Sequence, residues 1–248
     1  MSRVHHLAAW LTRMKAGDAK VFCIGFNKTG TTSLHAFFEH EGLTSMHNIA
    51  WPVESHRLTG RSFFEKTTCY TDGEQAAFHR LEEWFPNAVF VLNTRDERSW
   101  LRSRIKHVMR FGVPSGQPGC TVLDRLGTMG HEFFAYPEMA LAAWLAQRRT
   151  YEASVRAHFR GNDRFIELRV TEDRDWAQTL RAFLVKNRIL PERARRVWAP
   201  DANKRASEEI RDQAQLAEYL SLAEEVLKDV DAIRSWSKGH LTLVHCRA

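Results

Sequence analysis

Cysteine is scarce and scattered. Cys23, Cys69, Cys120 and Cys246 form no Cys-x-x-Cys pair, and no Cys/His cluster has the spacing of a zinc site. Neither a disulfide framework nor a metal-ligand set is read, and a reduced, cytoplasmic protein is expected. No apolar run is long enough to span a bilayer, and no signal-peptide pattern is read. A strong excess of one charge is also missing. Thirty-six basic residues against 30 acidic ones leave a net charge of +6. That balance suits anionic ligands but gives no reason to expect a nucleic-acid partner. There is no internal repeat and no low-complexity segment.

The 248 residues are enough for one substantial core without a second domain. Short apolar runs at 21–25 and 88–92 have the length and flanks of buried strands, and 164–170 reads as a third sheet strand. Residues 43–49 are read as a return to the sheet, and 66–72 as a polar stretch. Helical periodicity is read over 4–16, 31–41, 75–84, from about 98 onward, over 138–159 and over 175–183. Residues 51–66 are read as a partly helical excursion, and 111–120, rich in Gly and Pro, as a loop. From Lys204 onward the chain reads as charged helix with 7 basic and 8 acidic residues, so the positive excess lies upstream. Strands alternating with helices predict an α/β fold with a central parallel sheet flanked by helices. One domain is expected over 1–203. Residues 204–248 form a helical appendage, packed on that domain or on a partner subunit in a homodimer.

The stretch Val21–Leu34 reads as strand, tight polar turn and helix start. Its turn holds Asn27, Lys28, Thr29, Gly30, Thr31 and Thr32. Backbone N–H groups opening a helix have no intrahelical acceptor and can point at phosphate oxygens. Lys28 adds a positive charge and the threonines add hydroxyl donors. The Walker A pattern, Gly-x4-Gly-Lys-(Ser/Thr), is missing: Gly25 precedes Lys28 by three positions and Gly30 follows it. That weakens a nucleoside triphosphate with magnesium as the ligand. A second anion-oriented feature, Arg95 with Ser99 or Ser103 on the next helix, lies beyond another strand. Ligands bind at that edge of open parallel sheets. Two phosphate clamps point to a ligand phosphorylated at two places.

With these motifs in view, the chain resembles the sulfotransferases that use 3'-phosphoadenosine-5'-phosphosulfate. Their phosphosulfate loop, Lys-(Ser/Thr)-Gly-Thr-(Thr/Ser) after a strand, is matched by Lys28–Thr32. Their second signature, an arginine after a later strand and a serine eight residues on, is matched by Arg95 and Ser103. The form with Arg-Asp-x-x-x-Trp is represented by Arg95, Asp96 and Trp100. Trp176–Leu184 followed by Trp198–Asn203 looks like a diverged form of the family's late tryptophan helix and Phe-Pro-x-x-Asn segment. The resemblance covers roughly residues 20–203. The family's Arg-Lys-Gly triplet has no match, and Arg205 beside Asn203 and Lys204 is its nearest stand-in.

The resemblance implies a P-loop-type sheet and transfer of a sulfuryl group to a hydroxyl or amine of a small-molecule or glycan acceptor, with adenosine 3',5'-bisphosphate as product. Lys28 would bind the 5'-phosphosulfate and stabilise the departing bridging oxygen. Asn27, Thr29, Gly30, Thr31 and Thr32 belong to the same loop, and Arg95 and Ser103 would bind the 3'-phosphate. No metal is required. A neutral acceptor needs a base, and His47 comes first, followed by Asp72, with Glu65 a weaker choice. Asp72 also reads as a helix N-cap, and Ser99 as a plain helix-start residue. Trp51, Phe63, Phe64 and Phe133 either line an apolar acceptor pocket or fill the core. Two other functions stay open at this point: a P-loop small-molecule kinase, and a catalytically inactive nucleotide-binding protein.

Overall fold

The central strands of the sheet, 21–23 and 89–93, bury alternate residues on opposite faces. In β1, Val21–Cys23, the residues Val21 and Cys23 face one way and Phe22 the other. This alternation follows from the two-residue side-chain period of an extended chain. It fits a parallel sheet covered on both sides, whose strands are apolar throughout rather than at every second position. The structure, a computed structural model, describes residues 20–111, 133–192, 210 and 212–244. These fall into two compact units, drawn from Met1–Arg95 with Tyr151–Ala206 and from Asp96–Thr150 with Ser207–Ala248.

The first unit contains β1, α1 (Thr31–His40), β2 (Ser45–His47), α2 (Ala50–Ser55), a 3-10 turn at Gly60–Phe64, β3 (Cys69–Thr71), α3 (Phe78–Trp84), β4 (Val89–Asn93), β5 (Phe165–Leu168) and α6 (Trp176–Lys186). Its sheet has five strands in the order β2-β3-β1-β4-β5, every pair parallel. One face is covered by α1 and α6, with Leu34, Phe37, Phe38, Trp176, Leu180 and Leu184 packed on Val21, Cys23, Val89 and Val91. The other is covered by α2, the 3-10 turn, α3 and residues 151–159. Phe22 is the hub of that second layer. Its ring lies 5.2–5.9 Å from those of Trp51, Phe64, Tyr70, Phe85 and Phe90. Burying an aromatic side chain of this size is worth about 1.5–3 kcal/mol, so this cluster is a main source of the unit's stability.

Several features depart from the sequence expectations. The polar stretch 66–72 contains a strand, β3, whose three residues are all buried. Lys20, also fully buried, reaches across to that segment and donates to the carbonyl of Thr67 at 2.7 Å. Trp51 and Phe64 are wholly buried in the aromatic layer and do not line a pocket, while Phe63 is partly exposed. Cys23 and Cys69 are buried free thiols, and burial pushes both up in pKa. Glu41, the α1 C-cap, pairs with Arg181 of α6, and the two side chains are 2% and 10% exposed. This ion pair ties the two helices on one face together.

The second unit contains α4 (Glu97–Phe111), the part of α5 (Pro137–His158) that precedes Tyr151, and α7 (Gln213–Val244). Asp96 caps α4: it accepts from the Ser99 N–H at 2.9 Å. Leu101, Ile105, Phe133, Leu141, Leu145, Leu216 and Val226 are buried. Two buried arginines stack on tryptophans, with Arg104 lying 5.4 and 4.9 Å from the ring centres of Trp100 and Trp144, and Arg148 4.7 Å from that of Trp100. Phe133 stacks on Trp144 at 5.2 Å and is core in this unit. The helices read over 4–16, the segment 198–203 with Arg205, and the loop from 112 on lie outside the described residues. Phe111, read as the start of that loop, closes α4. No helix among the described residues is long and apolar enough to cross a membrane.

Candidate anion and group-transfer site

Strand order decides where a site can form. From β1 the chain crosses by α1, on one face, to β2. The β3–β4 connection, and residues 151–159 leading into β5, lie on the other face. The direction of winding therefore reverses between neighbouring β1 and β4. The crevice beyond their C-terminal ends is the switch point where open α/β sheets bind ligands. The Gly25–Thr32 loop leaves β1 there, and Thr94 and Arg95 leave β4 beside it.

The loop is built largely by Asn93, the last residue of β4, which is fully buried. Its Oδ1 accepts from the Gly25 N–H at 3.0 Å, and its Nδ2 donates to Thr29 Oγ1 at 2.6 Å. Thr29 in turn donates its hydroxyl hydrogen to the Phe26 carbonyl at 2.5 Å. The Thr29 hydroxyl thus works inside the loop, and what it offers a ligand is its backbone. Gly25 is required by close approach, since a Cβ there would stand 1.9 Å from the Asn93 carbonyl oxygen. Gly30 is required twice: its φ is +94°, and a Cβ would stand 2.6 Å from Val170 Cγ1.

Gly30 is also the N-cap of α1 and supplies no side-chain cap, and the helix has no acidic residue in its first turn. The first intrahelical bond runs from the Leu34 N–H to the Gly30 carbonyl. The N–H groups of Thr31, Thr32 and Ser33 therefore precede that ladder, at the positive end of the helix dipole. Thr31 is buried, and Thr32, Asn27 and Lys28 are half-buried. Lys28 has φ 63°, a left-handed conformation that costs a non-glycine residue of order 1–3 kcal/mol. Asp72 and Gln75 share it, at 73° and 59°. Three of the four left-handed non-glycine residues among those described thus lie just beyond β1 and β3.

Arg95 reaches this loop: its Nη1 donates to the Lys28 carbonyl at 3.2 Å. The end of β4 behind it is fixed by Thr94, whose N–H donates to the Leu168 carbonyl at 2.9 Å and whose hydroxyl contacts the buried Glu152 carboxylate at 3.2 and 3.3 Å. Arg156 neutralises Glu152 at 2.8 Å. Ser103 lies on α4, in the second unit, and is half-buried. Ser99, the alternative to it, is spent on the helix cap. Its backbone N–H and hydroxyl both bond to Asp96, and the backbone bond is the main cause holding that carboxyl below its usual range.

The two leading base candidates lie at the same sheet edge. His47 closes β2 and is exposed. Its Nε2 lies 3.4 Å from the hydroxyl of Thr32 in the loop. Asp72 follows β3 in a left-handed turn. It is not the N-cap of the next helix, which begins at Phe78 and is capped by Ala77. Glu65 lies at the end of the 3-10 turn, upstream of β3, where its carbonyl faces Lys20 at 3.3 Å.

Sequence reasoning missed several supporting residues. Asn93 is one of them, and the available signal is a polar residue closing an otherwise apolar buried strand. Glu74 gave no signal at all. Its Oε2 meets the Asn27 N–H at 3.5 Å, a long contact. Its charge also helps raise the Tyr151 phenol, after burial as the larger cause. Tyr151 anchors this turn by donating to the Ala76 carbonyl at 3.1 Å.

The loop after β1 carries uncapped helix donors and a lysine, with the Arg95 guanidinium on its backbone and the His47 imidazole beside Thr32, which is equipment for binding an anionic group and moving a proton beside it. No curated protein matches the chain. The family model described as "Sulfotransferase domain", however, matches residues 20–207, a span that begins just before β1 and contains the loop, Arg95 and His47. The chain belongs to the sulfotransferase-domain family.

Proposed function

We propose that the protein transfers a sulfuryl group from 3'-phosphoadenosine-5'-phosphosulfate to a hydroxyl or amine of a small-molecule or glycan acceptor. The observation that carries this reading is the loop after β1, whose α1 start has no side-chain cap and which the Arg95 guanidinium meets at the Lys28 carbonyl. The donor set fits a ligand bearing phosphates at two positions: backbone N–H groups and hydroxyls at one end, and a guanidinium with five donors beside them. Gly25 and Gly30 let the loop close onto Asn93 and Val170, where a Cβ would clash, and so hold the backbone donors in place.

The donor supplies the sulfuryl group, and the chain's residues do the rest. Asn27, Thr29, Gly30, Thr31 and Thr32 hold the 5' end, chiefly through backbone N–H groups aimed where negative charge sits. Lys28 carries its ammonium to the bridging oxygen and stabilises the charge that grows there as the bond to sulfur breaks. Arg95 binds the 3'-phosphate, joined by Ser103, whose assignment follows the eight-residue spacing. His47 takes the acceptor's proton as its oxygen or nitrogen attacks sulfur, because its Nε2 is beside Thr32. Asp72 is the carboxylate that would take that role in its place.

Calorimetric titration with adenosine 3',5'-bisphosphate, against magnesium-ATP, tests the ligand. Binding of the bisphosphate and not of ATP is expected. The reverse result overturns the reading in favour of a kinase. Lys28→Ala is expected to lower turnover by about 10²–10³-fold while keeping the fold by circular dichroism. Wild-type turnover in that variant would remove Lys28 from the mechanism.

A further inference from the structure

His47 is held from three sides, and those contacts decide which of its nitrogens can accept a proton. β2 and β3 pair in parallel with His47 opposite Thr71. Thr71 is fully buried, and its Oγ1 lies 3.0 Å from His47 Nδ1 and 3.4 Å from the Met46 carbonyl. On the other edge of the ring, Nε2 lies 3.4 Å from Thr32 Oγ1. The His35 imidazole stacks on it at 5.6 Å with 25° between planes. His35 is itself held by Ser45 Oγ at 2.8 Å and by Glu39 at 3.6 Å.

A neutral imidazole has one N–H and one lone pair, and the partners choose between them. A carbonyl can only accept, and Thr71 has one hydroxyl hydrogen. If that hydrogen goes to the Met46 carbonyl, Thr71 Oγ1 accepts from Nδ1–H and Nε2 accepts from the Thr32 hydroxyl. All three contacts are then hydrogen bonds. If it goes instead to Nδ1, Nε2–H donates to Thr32 and the Met46 contact is lost. The first arrangement satisfies more groups around a buried hydroxyl, where an unmade bond is costly.

We propose that Thr71 is a positioning residue that holds neutral His47 as the Nδ1–H tautomer and presents the Nε2 lone pair to the phosphosulfate loop. This rests on His47 being the base in the reading above. The Thr32 hydroxyl gives up its bond to Nε2, the acceptor's proton passes to the lone pair so released as its oxygen bonds to sulfur, and the bridging oxygen leaves with the bonding pair. The imidazolium so formed still donates from Nδ1 to Thr71, so one acceptor serves both charge states. Thr71 has no contact with the reacting atoms and acts through the ring.

The test is nitrogen-15 NMR of the histidine ring in the full chain, beside steady-state kinetics, for wild type, Thr71→Val and Thr71→Ser. In wild type at neutral pH, Nδ1 is expected to be protonated and Nε2 to carry the lone pair. Thr71→Val is expected to lose that preference and Thr71→Ser to keep it. Turnover in Thr71→Val should fall roughly 10- to 100-fold, with the acid limb of its pH profile displaced and affinity for adenosine 3',5'-bisphosphate unchanged. A wild-type ring protonated at Nε2 overturns the proposal, and that spectrum decides even if the valine variant fails to fold. An unchanged tautomer in Thr71→Val overturns it as well. Full turnover in His47→Asn, with the Nδ1–H tautomer confirmed in wild type, would refute the base assignment and leave the tautomer assignment standing.

Discussion

Asn93 offers the sharpest test of how the loop is built. Asn93→Ala removes the acceptor for the Gly25 N–H and the donor to Thr29 Oγ1, bonds of 3.0 and 2.6 Å made by a side chain with no solvent exposure. The Gly25 donor is left buried without its partner, which costs about 1–3 kcal/mol, and the second bond adds about 1 kcal/mol. A total loss of roughly 2–4 kcal/mol is expected, which for a chain of this size lowers Tm by about 4–16 °C. Asn93→Asp separates the two bonds, because an aspartate keeps an acceptor for Gly25 and loses the donor to Thr29. In Asn93→Ala the affinity for adenosine 3',5'-bisphosphate is expected to fall more than tenfold, since the donors that meet the ligand are held by the bonds removed. Scanning calorimetry and calorimetric titration on the same samples measure both. Wild-type Tm and affinity in Asn93→Ala would refute the account of the loop as a structure strapped to the end of β4.

Two further outcomes concern stability. Arg181→Ala leaves the Glu41 carboxylate, 2% exposed, without its partner and should cost about 3–5 kcal/mol. Replacing both residues by apolar ones, Arg181→Met with Glu41→Leu, should come within about 1 kcal/mol of wild type, and urea midpoints distinguish the two. Asp96 is the group for pH. Its native carboxyl releases its proton more readily than in the unfolded chain, so the unfolded state binds more protons between the two values and stability rises with pH there. The contribution is fully present above the ordinary carboxylate value near about 3.9 and is lost as pH falls towards the depressed one. Asp96→Ala should therefore be about 1 kcal/mol less stable at pH 7, with the gap closing in thermal melts taken at progressively lower pH.

What was legible in the sequence was what local pattern dictates. The apolar runs at β1 and β4 predicted strands because four or five consecutive buried residues have few other uses at that length. Lys28 to Thr32 stood out because lysine, glycine and threonines between a strand and a helix form a recognisable anion turn. β3 was not legible because its three buried residues, Cys69–Thr71, sit between Thr68 and Asp72 and carry too short an apolar run to show a period. Their burial is decided by β1 and β2 on either side, which is long-range information. Trp51 and Phe64 fill the core because Phe22 needs neighbours there, and no local pattern announces that. Asn93 and Thr71 have the same origin. Each is a polar side chain at the end of a strand, and its meaning comes from a residue on the neighbouring strand or in the loop that follows it.

The two thiols of the first unit have one more consequence. Cys23 and Cys69 lie on β1 and β3, neighbouring strands of the sheet, fully buried and held in the unreactive thiol form by their surroundings. An alkylating reagent that needs thiolate can reach them only when these strands part. The protein thus carries internal clocks on the strands that bear the loop. Their modification rate reads the opening free energy of the sheet separately from the second unit, and a bound anion at the loop would slow it in proportion to how tightly it is held.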